Sequence, residues 1–371
     1  MNRRKFIGIT SITIAFAGTA AYLLGDNDNF ERTDIKDDTR DKFSFQPDEK
    51  EIMHLASLAP SGHNTQPWFI KYIEPYHWII GNDKSKWLPA VDPTQRETIL
   101  SIGAFIQNLE YAANNAGYLC HFNLLAPTNQ DENIMEVHLQ KTSGLNKYDI
   151  NKIIRRRTVR SGYLNDTLKN EDETYISESE KDFIHLISRG TREYKWLNEQ
   201  TIEANRIQAY RDAAQKELSE WIRFSNADAK NNCDGLTLAG MEIEGFPGWL
   251  LRNFYDQENV MKNNFREQGI DKVKIQVSQS AGWLIITSKD NSVETLLETG
   301  KRFQRIFLKV RDKKIAIHPM TQILEEPNTK QQVNSSIGIS DNIQFILRMG
   351  YLKNYPEPVT VRRPVNWFVR K

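Results

Sequence analysis

From Asp48 to Ala59 the apolar residues Ile52, Leu55, Ala56 and Ala59 recur at helical spacing, and Pro60-Ser61-Gly62 then breaks the run. Trp68 to Tyr72 and His77 to Ile80 read as short strands on either side of Glu74-Pro75. Asp92-Pro93-Thr94-Gln95 offers an N-cap, a proline at the first helical position and a capping-box partner. The helix it predicts carries Ile99, Ile102, Ile106, Leu109 and Ala113 on one stripe as far as Gly117, with Gly103 and Ala104 small enough for another backbone to approach. His121 to Leu125, Met135 to Leu139, Ser280 to Thr287 and Ile343 to Gly350 read as further strands, and Thr201 to Phe224 and Val293 to Val310 as helices. Gly235 to Asp271 is rich in glycine, aromatics and methionine with weak periodicity, which fits an irregular subdomain or a lid over a ligand. The pattern predicts an α+β frame.

The amino terminus follows different rules. Met1 to Lys5 is basic, Phe6 to Leu24 is mostly apolar, and Asp26 to Lys42 holds seven acidic and four basic residues, as a solvated spacer would. Asn2-Arg3-Arg4-Lys5-Phe6-Ile7 resembles a twin-arginine export signal. Ala15-Phe16-Ala17 is the nearest small-x-small cleavage pattern but lies inside the apolar run, so either removal or retention as an anchor at residues 6–24 fits. The expectation is export through the twin-arginine machinery to the periplasm or the outer face of the cytoplasmic membrane. That route carries folded proteins, which points to a cofactor inserted beforehand.

Composition narrows the chemistry only slightly. With 49 Lys+Arg against 48 Asp+Glu over 371 residues, no global field points to nucleic acid. The only cysteines, Cys120 and Cys233, cannot make a Cys-based zinc site and could form at most one bridge, so no metal site is expected. No Ser-His-Asp, His-Glu-x-x-His or Walker pattern is present.

Three segments carry the functional signal. Ala59-Pro60-Ser61-Gly62-His63-Asn64-Thr65-Gln66-Pro67-Trp68 brings hydroxyl, amide and backbone donors to a turn between a helix and a strand. Arg155-Arg156-Arg157-Thr158-Val159-Arg160 is suited to hold a phosphate through charge-assisted hydrogen bonds. Arg362-Arg363-Pro364 adds a late basic pair. Each has a plain structural reading alone: a turn, a solvated basic helix, a charged tail.

Together the segments resemble the nitroreductase family of FMN-dependent oxidoreductases, with its Ala-Pro-Ser-x-x-Asn-x-Gln-Pro-Trp loop, Arg-Arg-Ser/Thr-x-Arg motif and late arginine. The resemblance covers residues 48–364 in patches. It implies a three-layer α/β/α fold and FMN as cofactor. It places Ser61, Asn64 and Gln66 at the flavin, and Arg156, Thr158 and Arg160 on its phosphate with help from Arg362 or Arg363; Arg157 of the same motif is a further cofactor-binding candidate, either at the phosphate or pointing away. His318-Pro319-Met320-Thr321-Gln322 stands where family members present backbone amides to the reactive flavin nitrogen, which nominates Met320 and Thr321. His63 reads as incidental and Asp92 as a cap rather than a base. No catalytic acid or base is assigned.

In ordinary members the arginine motif precedes the loop in a shorter chain that dimerises; here the order is reversed and the chain is longer. This is similar to the Acg-like branch. It implies two fused, degenerate halves, residues 43–146 and 147–371, forming a pseudo-dimer that is monomeric, with residues 235–271 as a lid-like insertion. The implied activity passes two electrons from NAD(P)H or another donor through FMN to a small acceptor such as a nitroaromatic or quinone. A non-catalytic flavin-sequestering protein and a binder of another phosphate-bearing ligand remain open alternatives.

Overall fold

The computed structural model describes residues 45–371; the twin-arginine segment and the acidic spacer lie outside the described residues. Helix α1 (Pro47–Ser57) leads through the polar turn into strands β1 (Trp68–Glu74) and β2 (His77–Asn82). Helix α2 (Arg96–Ala116) follows, and then β3 (Tyr118–Leu124) and β4 (Asn133–Lys141). The second half holds β5 (Ile184–Ser188), helix α3 (Arg192–Tyr210), helix α4 (Asn263–Ser278), β6 (Gly282–Ser288), helix α5 (Val293–Lys309), β7 (Ile315–Pro319) and β8 (Asn342–Tyr351). A last short strand, β9 (Val369–Arg370), ends the chain.

The two halves repeat one topology. The first sheet runs β9-β1-β2-β4-β3 and the second β5-β6-β8-β7. Setting β9 aside, all neighbouring pairs are antiparallel, and each sheet places a helix between its second and third strands in chain order. β9 instead joins β1 in parallel, so the carboxyl terminus completes the sheet of the other half.

The helices that occupy equivalent places, α2 and α5, pack on each other at glycines. A Cβ added to Gly103 would meet the Leu297 carbonyl oxygen at 2.2 Å, and one added to Gly300 would meet that of Leu100 at 2.1 Å. Only the missing side chains allow this approach. The largest core cluster spans this junction, with Trp68, Trp78, Ile99 and Phe105 from the first half and Leu296, Leu297, Leu308 and Phe368 from the second.

The predicted elements are present, with three differences. Helix α2 begins at Arg96 rather than Pro93, because Gln95 takes a left-handed conformation (φ 56°); Asp92 still caps it, its carboxylate accepting from the amides of Glu97 (2.9 Å) and Thr98 (3.1 Å). The helix expected over 201–224 is two, since extended backbone at Arg211 breaks it. The aromatic segment 235–271 contains a short strand (Leu236–Thr237) and helices at Gly245–Phe254 and Gln257–Val260. Both cysteines are free. Among the described residues no helix is long and apolar enough to cross a membrane.

Candidate functional site

The loop after α1 is held in a costly conformation. His63, Asn64 and Gln66 have φ of 45°, 55° and 55°, a region L-residues enter at roughly 1–2 kcal/mol each. Buried hydrogen bonds offset that cost. Asn64 donates to the carbonyls of Gly235 (3.0 Å) and Val361 (3.2 Å) and accepts from Arg362 Nη1 (2.8 Å). Gln66 donates to the Cys233 carbonyl (2.9 Å) and accepts from the Arg363 amide (3.0 Å), while the Ser61 hydroxyl accepts from the Gln66 amide (3.0 Å). Two residues expected at a flavin, Asn64 and Gln66, therefore tie the loop to residues 233–235 and 361–363, and the third, Ser61, braces the loop from within.

Most of the expected phosphate arginines are committed in the same way. Arg156 donates from Nε and Nη2 to the Leu58 carbonyl at 3.2 and 3.0 Å. Arg362 donates to the carbonyls of Ser57 (2.8 Å), Leu58 (3.3 Å) and Ala59 (2.9 Å). Two guanidinium groups thus cap the carboxyl end of α1, where orphan carbonyls and the helix dipole favour cations. Arg363 donates to the carbonyls of Gln66 and Trp68, and burial lowers its pKa to about 10. Met320, expected to offer its amide to a flavin, donates it to the Ile346 carbonyl (2.9 Å), and the Thr321 hydroxyl faces Glu325 Oε1 (3.3 Å).

Arg160 is different. Its Nη1 lies 2.7 Å from His318 Nε2, its Nε donates to the Gly240 carbonyl (3.2 Å), and its own amide donates to Glu242 (3.0 Å). Buried Arg348 crosses behind it, donating from Nη2 to the Arg160 carbonyl (2.8 Å). Lys272, on α4, donates to the Met241 carbonyl (2.7 Å) and feels the charge of Arg160. His63 of the strained loop feels the same charge. Arg157 stays in the cluster: it is buried, 3.5 Å from Glu242, and donates to the Glu357 carbonyl (2.7 Å). Thr158 stands half-buried beside it.

Electrostatics define what this cluster can hold. Burial pushes His63 down to about 4, with Arg160 adding to the shift, and holds His318 well below the ordinary histidine range for the same reasons. Both are neutral near pH 7. An arginine can only donate, so His318 Nε2 accepts and its proton sits on Nδ1. That Nδ1, His63 Nδ1, Arg157 Nε and Arg348 Nε are enclosed and without a partner among the described residues. A patch of cationic and neutral donors balanced by one carboxylate, Glu242, is complementary to an anionic, acceptor-rich ligand.

No family model matches the sequence. Relatives do. The protein acg of Mycobacterium tuberculosis (strain H37Rv), named as an NAD(P)H nitroreductase, is 24% identical over 340 residues, covering 85% of this chain and 93% of that one. PigM of Serratia sp. (strain ATCC 39006), also named as an NAD(P)H nitroreductase, is 20% identical over 337 residues, covering 83% and 89%. The chain is similar to nitroreductases. Among solved structures it can be laid on the FMN-dependent nitroreductase NfnB of Mycobacterium smegmatis in complex with NADPH, at 14% identity and a TM-score of 0.35 over 56% of this chain and 92% of that one. A nitroreductase with bound FMN from Bacteroides fragilis gives 13% identity and a TM-score of 0.33 over 57% and 94%.

His318, Lys272, Arg348 and Glu242 were not singled out by side chain in the sequence. Arg348 carried a usable signal, a lone cation inside the apolar run Ile343 to Gly350. Lys272 carried none.

Proposed function

We propose that this protein is an FMN-dependent oxidoreductase that takes electrons from NAD(P)H or another donor and passes two of them to a small acceptor such as a nitroaromatic or quinone. The observation that carries the reading is the convergence on Arg160 of His63, His318, Arg157 and Arg348, four residues with enclosed and unpartnered nitrogens from four separate stretches of chain. The similarity to acg and PigM over more than four-fifths of the chain supports it.

The donor set fits a flavin mononucleotide. Arg160 and the Nδ1–H of His318 would face its acceptor-rich edge, with Lys272 adding positive charge from α4, and Thr158 would serve the phosphate. When bound, FMN supplies the hydride and electron chemistry, which no side chain here can perform. The chain's own part is electrostatic: fixed donors that favour negative charge on the ligand, in an enclosed setting where reorganisation is small. Arg156, Arg362 and Arg363 act one step back, fixing α1 and the strained loop so that His63 is presented.

The repeated topology and the Gly103–Gly300 crossing support reading the chain as two fused halves that form a monomeric pseudo-dimer. The Arg3-Arg4 pair supports export of the folded holoprotein, which a cleavage and fractionation assay tests. One observation favours the sequestering alternative: Gly240 and Glu242 of the 235–271 segment sit directly on Arg160, so that segment covers the site.

The deciding experiment is the visible spectrum of the purified full chain, before and after adding FMN and then NADPH under argon. Bound flavin that bleaches and recovers with a nitroaromatic supports the oxidoreductase. Flavin that binds but resists reduction favours sequestration or another donor, and absence of binding ends the cofactor reading.

A further inference from the structure

The outer face of the first sheet carries a second constellation, remote in chemistry from the basic site. β2 and β4 pair so that His77 stands opposite His138, and their rings stack with centroids 3.7 Å apart and planes at 23°. Two residues before His138, on the same face of β4, Glu136 reaches the Nε2 edge of both rings. Its Oε1 lies 2.9 Å from His77 Nε2 and 3.7 Å from His138 Nε2. The three ligand atoms all fall within 4.8 Å of one another.

We propose that His77, Glu136 and His138 form a binding site for a divalent transition metal of the Zn²⁺, Ni²⁺ or Cu²⁺ class. The distances suit it. A tetrahedral ion with ligand bonds of about 2.0–2.1 Å separates neighbouring ligand atoms by about 3.4 Å, and the two observed nitrogen–oxygen separations bracket that value. Imidazole nitrogens with one carboxylate exclude Ca²⁺ and Mg²⁺, which take oxygen ligands.

The surrounding groups hold the ligands as metal sites require. Asn123 Nδ2 donates to the other carboxylate oxygen of Glu136 at 3.2 Å, leaving Oε1 for the ion. Glu74 Oε1 lies 3.6 Å from His77 Nδ1, where it favours the tautomer with the proton on Nδ1 and the lone pair on Nε2. The ion then replaces the Nε2–H···O contact, the proton moves to the side facing Glu74, and no redox change occurs. The His77 and Glu136 side chains are 17% and 27% exposed and that of His138 52%, so the ion is reachable and keeps at least one position for water. His121, opposite His138 on β3, is directed away by its 2.8 Å contact with Gln140 and is not a ligand.

Bound metal would clip β2 to β4 on the open face of the sheet and stabilise the chain by mass action. The sequence gives no local motif for it, because the histidines lie 61 residues apart and meet only through strand register.

The test is calorimetric titration of tag-free full chain with zinc sulfate, and the Cu²⁺ electron paramagnetic resonance spectrum of the same protein. One ion per chain, with nitrogen superhyperfine splitting, is expected. His77→Ala and His138→Ala should each weaken binding about tenfold or more, Glu136→Gln should weaken it several-fold, and His121→Ala should leave it unchanged. Circular dichroism and FMN titration of the same variants check that the fold and the basic site persist. No saturable binding, or equal binding by the His77→Ala/His138→Ala double variant in a folded state, would overturn the proposal.

Discussion

Arg160 Nη1 and His318 Nε2 lie 2.7 Å apart, and the arginine's inability to accept fixes the histidine's proton on Nδ1, inside the protein. His318 should therefore give nitrogen chemical shifts of a neutral Nδ1–H ring that persist through the pH range in which an ordinary histidine titrates. A protonation step at pH 6–7 would contradict the assignment. His318→Phe, which removes both the acceptor for Arg160 and the inward donor, should weaken FMN about tenfold or more, roughly 1–2 kcal/mol, by spectrophotometric titration. His318→Gln should recover most of it.

Arg362 and Arg156 test whether the basic residues hold the ligand or the fold. Arg362→Ala would strand the carbonyls of Ser57 and Ala59 and the side-chain oxygen of Asn64, all in buried surroundings. A loss of about 3–5 kcal/mol in urea unfolding is expected. Arg156→Ala should cost less, since the Leu58 carbonyl retains a bond from Arg362, and neither variant should change the FMN affinity of the folded fraction more than a few-fold. A selective loss of FMN with unaltered stability would return both to the phosphate.

The strands and the central helices were legible because their apolar periods are strong and their ends are punctuated: Gly117 ends α2, and Ser292 caps α5. Strands β5, β7 and β9 and helix α4 were missed, the helix because 16 residues with only Ile270, Val277 and two polar residues buried show little apolar stripe. The loop and the arginine motif were found, but the resemblance supplied roles by position, whereas hydrogen bonding distributes them otherwise. Asn64 and Gln66 face partners about 170 and 300 residues away, and no local pattern announces such contacts. His63 looked incidental for the same reason, since Arg160 reaches it only through the fold.

Gly103 and Gly300 make the helix junction a sensitive point. A methyl group at Gly103 would sit 2.2 Å from the Leu297 carbonyl oxygen and 3.0 Å from Gly300 Cα, both backbone atoms in the middle of α5. They cannot rotate away, so the helices must separate. Gly103→Ala should cost about 2–3 kcal/mol despite the better helix propensity of alanine, and lower the urea midpoint accordingly. Gly269→Ala is the control. Nothing lies within 4 Å of a Cβ there, and helix propensity alone should raise stability by about 0.5–1 kcal/mol.

Asp92 supplies a pH dependence whose sign can be worked out. Its carboxyl is 4% exposed, and burial, with the neighbouring charge of Glu97, raises its pKa from 3.8 to about 7 against the opposing effects of Arg96 and two backbone amides. Glu325, half-buried and under the same influence of Glu97, is shifted in the same direction. A group whose folded pKa is raised binds its proton more tightly when folded. Its stabilising contribution is present below the unfolded value near 4 and is lost as the pH climbs through about 7. Asp92→Asn keeps an oxygen for the amides of Glu97 and Thr98 but cannot ionise. Relative to wild type it should gain on the order of 2 kcal/mol between pH 5 and pH 8 in urea unfolding, with the difference levelling off above that range. Parallel profiles for the two proteins would mean that Asp92 is already ionised in the folded chain at pH 5, and that Arg96 outweighs burial at the start of α2.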